Sequence, residues 1–168
     1  YSEFDLNKDN GIYDVSIIIK EQSPHIAQGV NQNKDKDQGA GDQGLMFGYA
    51  CNETAELMPL PIMISHSLTK KLAEVRKNGI LEWLKPDGKS QVTVEYNSDN
   101  IPIKIKKVVI ATQHKDMLEK FENINEEHQF IEKNIIENVI LPVLENYNIR
   151  YDNEFIVNGT GRFVEGGP

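Results

Sequence analysis

Apolar and polar residues alternate in three parts of the chain, and alternation with a period of two predicts half-buried strands. The first stretch covers residues 12–20, and no partner strand lies near it in sequence. Two further stretches, residues 91–96 and 101–110, flank the turn-forming run 97–100 and predict a β-hairpin. A last short strand is predicted at residues 154–157.

The second hairpin strand has two irregular features. Its alternation changes phase after Lys106-Lys107, which indicates a β-bulge. Pro102 lacks the N–H of a ladder bond, which indicates that the strand starts at a sheet edge. Lys104, Lys106 and Lys107 alternate with isoleucines, which favours a solvated sheet face over a basic patch. His114 ends the strand without a predicted partner, and we assign it no chemistry.

Helical periodicity appears in two places. Pro61 is predicted to lie in the first turn of the first helix, because a missing N–H costs nothing there, and the helix is predicted to end at Asn78-Gly79. His66 lies off its apolar stripe and is predicted to be exposed. The stripe, a packing face, consists of Leu60, Met63, Ile64, Leu68, Leu72 and Val75.

The second helix is predicted to begin at Asn123, where Glu126 completes a capping arrangement, and to break or kink at Pro142. Its apolar face consists of Ile131, Ile135, Ile136, Val139 and Ile140. The fold class is therefore α+β, with an antiparallel-leaning or mixed sheet and two helices packed on one face, in the order α-β-β-α-β from residue 60.

Length, charge and cysteine content limit the classes of function that are expected. The 168 residues suit one domain or slightly more, and 18 Lys and Arg against 26 Asp and Glu give a net charge of −8. We therefore expect no nucleic-acid partner. The single Cys51 fits a reducing compartment, and no apolar run is long enough to span a membrane. The expected location is cytoplasmic, with no membrane partner.

Residues 21–38 form a long polar stretch that is predicted to be a loop without regular structure. Loops of this length are usually functional lids or linkers, and composition alone leaves both open. The abrupt start of the chain, with a lone strand before this loop, leads us to expect a piece of a longer protein.

The next run, GAGDQGLMFGY at residues 39–49, has three glycines within its first six positions. Its spacing matches the G-x-G-x-x-G dinucleotide fingerprint, but that motif requires a preceding hydrophobic strand, and residues 31–38 are polar. A structural tight turn is favoured over a Rossmann-type site on the pattern alone.

Two later segments also combine turn chemistry with charge. Pro86-Asp87-Gly88, followed by Lys89, predicts a hairpin-type connection. Residues 158–168 place four glycines around Arg162 and Phe163, which suits either a flexible tail or a loop that brings a cation and an aromatic ring to a ligand.

The complete run GAGDQGLMFGY resembles the first signature of the S-adenosylmethionine synthetases, also called methionine adenosyltransferases. Three further segments are similar to that family: QSPHIAQGV to its mobile active-site loop, KPDGK to its RPDxK stretch, and NGTGRFVEGGP to its NPTGRFVxGGP run. The last segment has Gly159 where proline is usual, which predicts a less rigid loop.

The resemblance implies an enzyme of three similar domains, of which residues 1–21 end the first, residues 22–38 form the mobile loop and residues 39–168 form the middle one. By the same resemblance, the C-terminal domain would lie outside this chain. The mobile loop would include Gln22, Ser23, Pro24, His25, Ile26, Ala27, Gln28, Gly29, Val30, Asn31 and Gln32.

The same resemblance implies the site residues. Gln22 and Asp42 would bind methionine, and Lys89 would be catalytic. The residues that would bind ATP are Asp87, Gly88, Lys89, Arg162 and Phe163. No metal ligands are expected within these residues, because the carboxylates that bind Mg²⁺ in the family lie outside them.

The implied reaction joins ATP and L-methionine into S-adenosylmethionine and hydrolyses the displaced triphosphate to phosphate and diphosphate. It would use Mg²⁺ and K⁺ in a homodimer or a dimer of dimers. Two alternatives remain at this point. One is a non-catalytic binding module derived from such an enzyme. The other is a Rossmann-type oxidoreductase, an interpretation that the polar residues before the glycine run make weaker.

Overall fold

A computed structural model describes residues 16–166 of the chain. The chain divides into two compact units, Tyr1–Gly48 and Tyr49–Pro168. The first contains helix α1, Pro24–Val30. The second contains helix α2, Leu60–Lys77; strands β1, Leu84–Tyr96, and β2, Pro102–His114; helices α3, Ile124–Ile135, and α4, Leu141–Leu144; and strands β3, Arg150–Tyr151, and β4, Phe155–Val157.

The first unit differs from the sequence prediction in two ways. Residues 16–20, the described part of the predicted strand, are exposed and form no strand, while residues 12–15 lie outside the described residues. A strand needs a neighbour for its N–H and C=O groups, and residues 16–20 have none among the described residues. The polar stretch that follows contains helix α1, which has no buried residue and therefore no apolar stripe that could predict it.

Helix α1 is closed by the residues that follow it. The Gly39 N–H donates to the Val30 carbonyl over 2.9 Å, and the Lys36 ammonium donates to the Gly29 carbonyl over 2.6 Å. A Cβ at Gly39 would collide with the Gly29 carbonyl oxygen, so this first glycine of the GAGDQG run is required by close backbone approach.

In the second unit, α2 confirms its prediction. Pro61 lies in its first turn, and Gly79 adopts φ +70° just beyond Asn78. The Gly79 N–H donates to Arg76 and the Ile80 N–H to Val75, which is the Schellman arrangement that closes a helix.

The hairpin is also confirmed, with the turn at residues 97–100. Thr93 pairs with Lys107 and Val94 with Ile105, so Lys106 is the extra residue of the predicted bulge. Strand β2 pairs with β1 on one side and with β3 and β4 on the other. Its pairing with β3 begins at Lys104, so Pro102 lies beyond that strand, and the start of β2 is at an edge of the described sheet, as predicted.

The predicted turn at Pro86-Asp87-Gly88 is wrong. These residues lie inside β1, where Leu84 pairs with His114 and Gly88 with Thr112. Residues 85–87 therefore stand opposite Gln113 alone, as an irregular bulge. Proline and glycine favour both turns and strand bulges, and local sequence does not distinguish the two.

The N-terminal cap of α3 is confirmed, since the Asn123 side chain accepts hydrogen bonds from the N–H groups of Asn125 and Glu126. Pro142 does not break the helix. A π-turn, Ile136–Ile140, precedes α4, and the Leu141 N–H donates to Ile136. The changed register accommodates a proline that has no N–H to donate.

The predicted architecture, a mixed sheet with helices on one face, is confirmed. Strand β1 runs antiparallel to β2, while β3, which was not predicted, and β4 run parallel to it. One continuous core lies between the sheet and the helices. Its most buried members are Ile64, Leu68, Val75, Ile105, Val108, Ile110, Ile131, Ile135, Val139, Ile140, Leu144 and Val157.

The lysines of β2 carry paired charges. Lys104 and Lys106 lie 3.1 and 3.3 Å from Asp152, and both also approach Glu95. Lys107 pairs with Glu154. These contacts favour the solvated sheet face over a basic patch. None of the helices between residues 16 and 166 is long and apolar enough to cross a membrane.

Candidate functional site

The start of β1 and the loop after β4 lie against each other. The Lys85 ammonium and the Gln113 amide both donate to the Val164 carbonyl, over 3.2 and 3.0 Å. Residues 158–164, for which the sequence allowed either a flexible tail or a ligand-binding loop, are therefore held against the sheet by hydrogen bonds.

Asp87 and Phe163, predicted in separate segments, meet at Gly166. A Cβ placed on Gly166 would lie 2.9 Å from Asp87 Oδ2 and 3.1 Å from the Phe163 ring. Only glycine allows these three groups to pack so closely. The structure thus brings an exposed carboxylate beside an aromatic ring at one end of the sheet.

His114 holds this loop, a role that sequence analysis missed. Its backbone N–H donates to the Phe163 carbonyl over 2.9 Å, and its Nε2 accepts from the Phe163 N–H over 3.1 Å. Its Nδ1 lies 2.8 Å from the Lys115 carbonyl, which can only accept, so Nδ1 carries the proton. His114 is fully buried. Alternation with Ile110 and Thr112 was the sequence signal that could have predicted this burial.

Gly88 and Lys89 point in opposite directions from β1. A Cβ at Gly88 would lie 3.4 Å from Leu72 of α2, so Gly88 faces the helices. Lys89 is exposed on the other face of the sheet. Within the described part of the chain, we find no hydrogen bond or ion pair for its ammonium group, which leaves it available to an anion.

Arg162 lies against α3 and is bound by two carboxylates. Its Nε donates to Glu127 Oε2 over 2.6 Å, and its Nη2 contacts Asp116. The hydrogen bond to Glu127 is the main cause of a raised Arg162 pKa, with Asp116 contributing less. The pKa of Asp116 is lowered, first by the Leu118 N–H and then by Arg162. Glu127 is fully buried and was not predicted as part of the site.

Asn158 sets the beginning of the loop. It is buried at φ +46°, and its side chain accepts from the Thr112 N–H over 2.8 Å and donates to the Thr112 carbonyl over 3.1 Å. A Cβ at the next residue, Gly159, would lie 2.8 Å from Ile156. Glycine at this position therefore suits this backbone, whereas the usual proline would require a shift.

Gln22 and Asp42 belong to the first unit and are both exposed. Among the described residues, the Asp42 carboxylate accepts a single, local hydrogen bond, from the Gln43 N–H over 2.7 Å. Among the described residues, no strand leads into the run 39–49 and no helix begins directly after it, so the Rossmann interpretation is wrong. Its apolar side chains are highly exposed: Leu45, Met46, Phe47 and Tyr49.

The residues between 16 and 166 contain no cluster of three His, Cys, Asp or Glu side chains able to hold a metal ion.

Comparison with known proteins identifies the chain. The family model described as S-adenosylmethionine synthetase, central domain, matches residues 37–163. The S-adenosylmethionine synthase of Desulfosudis oleivorans is 49% identical over 170 residues, covering 100% of this chain and 42% of that protein. The synthase of Syntrophobacter fumaroxidans is also 49% identical and that of Prochlorococcus marinus 47% identical, over 100% and 92% of this chain.

The chain spans about 42% of the length of the first of these relatives. The match includes the glycine run 39–49, the Asp87-Gly88-Lys89 segment and the loop through Phe163. The chain belongs to the S-adenosylmethionine synthetase family.

Proposed function

We propose that the full-length protein makes S-adenosylmethionine from ATP and L-methionine, and that it hydrolyses the displaced triphosphate to phosphate and diphosphate. The observation that carries this proposal is the packing of Asp87 against the Phe163 loop at Gly166. This packing brings together, on one surface, two segments that resemble the family's nucleotide site: residues 85–89 and the loop that contains Phe163.

The reaction places particular demands on such a site. The thioether sulfur of methionine attacks C5′ of ATP, forms a sulfonium and displaces the whole triphosphate. A thioether has no proton to lose, so no general base is needed. The protein must align sulfur with C5′ and stabilise the negative charge that develops on the leaving group.

The described residues can supply parts of this site. We assign the nucleotide to Asp87, Gly88, Lys89, Arg162 and Phe163. Lys89 suits the triphosphate, because an exposed ammonium group acts as a point charge on phosphate. We assign methionine to Gln22 and Asp42, since a carboxylate complements an α-ammonium group.

Other elements of the proposal concern the rest of the enzyme. We propose that Mg²⁺ and K⁺ are required and are held by residues outside 16–166. We also propose a cytoplasmic homodimer or dimer of dimers. Residues 1–21, 22–38 and 39–168 would belong to the first domain, the mobile loop and the middle domain respectively.

Incubation of the full-length protein with ATP, methionine, Mg²⁺ and K⁺ is expected to produce S-adenosylmethionine, detected by mass spectrometry. Omitting methionine provides the control. If both substrates bind but no product forms, the protein is a non-catalytic binding module and the proposed activity is wrong.

The loop at residues 22–32 is expected to become more ordered when both substrates bind. Its side chains are largely exposed and α1 buries none of them, so its opening should cost little in the free protein. Amide hydrogen exchange at residues 22–32 should slow by about tenfold with methionine and a non-hydrolysable ATP analogue, a protection of roughly 1.4 kcal/mol. Helix α2 serves as the internal control, since its exchange should not change. Equally slow exchange with and without ligands would show a static loop.

A further inference from the structure

Arg162 and Phe163 are adjacent in sequence but contact different parts of the second unit. The Arg162 side chain binds Glu127 on α3. The Phe163 ring lies next to Gly166, which also contacts Asp87 of β1. The backbone of Phe163 is held between them by two hydrogen bonds to His114.

Glu127 is organised around this loop. Its carboxylate is fully buried, and its two oxygens share three donors. Oε2 accepts from Arg162 Nε over 2.6 Å, while Oε1 accepts from the Met117 N–H over 3.0 Å and lies 3.4 Å from Arg162 Nη2. Arg162 thus provides the cation that compensates a buried negative charge.

We propose that Glu127 is a positioning residue of the nucleotide site. Its ion pair with Arg162 holds the loop so that Phe163 lies beside Asp87, and the Arg162 side chain serves the nucleotide through this anchoring rather than by touching phosphate. This inference rests on the proposed function and narrows the role assigned there to Arg162.

Charge compensation is the physical reason. Breaking a buried ion pair by withdrawing one partner leaves an uncompensated charge, which is strongly unfavourable. If the Arg162 side chain turned away to bind a triphosphate, the buried Glu127 carboxylate would lose the cation that compensates its charge. A second carboxylate, Asp116, also contacts Arg162. The two carboxylates and the one guanidinium group together carry a net negative charge, which does not attract phosphate.

Substitution with glutamine tests this arrangement because of its geometry. Glutamine at position 162 places its amide group where Arg162 has Nε. In Glu127→Gln, the amide oxygen can still accept from the Met117 N–H. The NH₂ group then faces the Arg162 Nε–H, and because both groups are donors, no hydrogen bond forms between them. In the double variant both amides can pair, because the amide oxygen introduced at position 162 can accept from the NH₂ group introduced at position 127.

The experiment measures binding of adenosine and of ATP to the full-length protein without methionine, by calorimetry. Glu127→Gln and Arg162→Gln are each expected to weaken both ligands by about tenfold, the size of a lost charge-assisted hydrogen bond. The double variant is expected to bind both ligands within about threefold of the wild type. Glu137→Gln, an exposed glutamate in the π-turn after α3, is the matched control and should change neither affinity.

Equal losses for adenosine and ATP are the specific signature, since adenosine has no phosphate. A double variant that binds adenosine normally but ATP about tenfold more weakly would show that Arg162 contacts phosphate, and it would overturn the inference. Single variants with wild-type affinities would also overturn it. If Glu127→Gln does not fold, Arg162→Gln and the double variant still distinguish these outcomes. Failure of the wild type to bind either ligand would instead refute the proposed function.

Discussion

Replacement of Asp42 by asparagine is expected to raise the KM for methionine by about 10- to 150-fold, with the KM for ATP little changed. The structure leaves this carboxylate exposed, and the Gln43 N–H is its one partner between residues 16 and 166, so its charge is available to a ligand. A carboxylate opposite the α-ammonium group of methionine makes a charge-assisted hydrogen bond worth roughly 1.5–3 kcal/mol, which sets the expected range. The same carboxylate would repel a triphosphate.

Steady-state kinetics of the full-length enzyme, with each substrate varied separately, measures this split. Asp99→Asn is a matched control, because Asp99 is an exposed aspartate in the hairpin turn, outside the proposed site. A similar rise in both KM values, accompanied by a lower melting temperature, would mean that Asp42 serves the structure of the glycine run instead.

Replacement of Lys89 by alanine is expected to slow the chemical step by about 10- to 150-fold, because its charge matters most as the triphosphate departs. The difference in ion pairing between Lys89 and the neighbouring lysines supports this expectation. Lys104, Lys106 and Lys107 are all paired with carboxylates, whereas Lys89 is exposed and has no such partner among the described residues.

Single-turnover measurement of S-adenosylmethionine formation, at saturating ATP and methionine, isolates that step. Lys107→Ala removes a cation from the same face of the sheet and should leave the rate unchanged. If Asp42→Asn and Lys89→Ala both gave small losses, independent of substrate and with reduced thermal stability, Asp42 would serve the structure of the glycine run and Lys89 that of β1, and both assignments would be wrong.

The sequence by itself determined the elements whose signal is local. The apolar stripe of α2, the cap at Asn123, the hairpin turn and the bulge at Lys106 are all present as predicted. Each depends on residues within a few positions of one another, so backbone geometry and the burial of one face are sufficient to specify it. The glycine run was equally informative, because its eleven residues resemble the family signature.

For the candidate site, the sequence indicated which segments to consider but not how they meet. The roles of Gln22, Asp42, Asp87, Gly88, Lys89, Arg162 and Phe163 stay predictions. Local pattern also misplaced Pro86, which lies in a strand bulge, and it did not decide between a break and a kink at Pro142, which follows a π-turn inside a continuing helix. Whether a proline ends an element depends on whether the surrounding packing can absorb its missing hydrogen bond.

Only the tertiary structure decided the contacts that hold the site together. His114 bonds to Phe163 across 49 positions, Glu127 to Arg162 across 35, and Asn158 to Thr112 across 46. A buried histidine, carboxylate or amide must find partners for its polar atoms, but its identity does not state where along the chain those partners lie. Folding of β4 beside β2 brings the loop to the end of the sheet, and that long-range pairing is what no local pattern could specify.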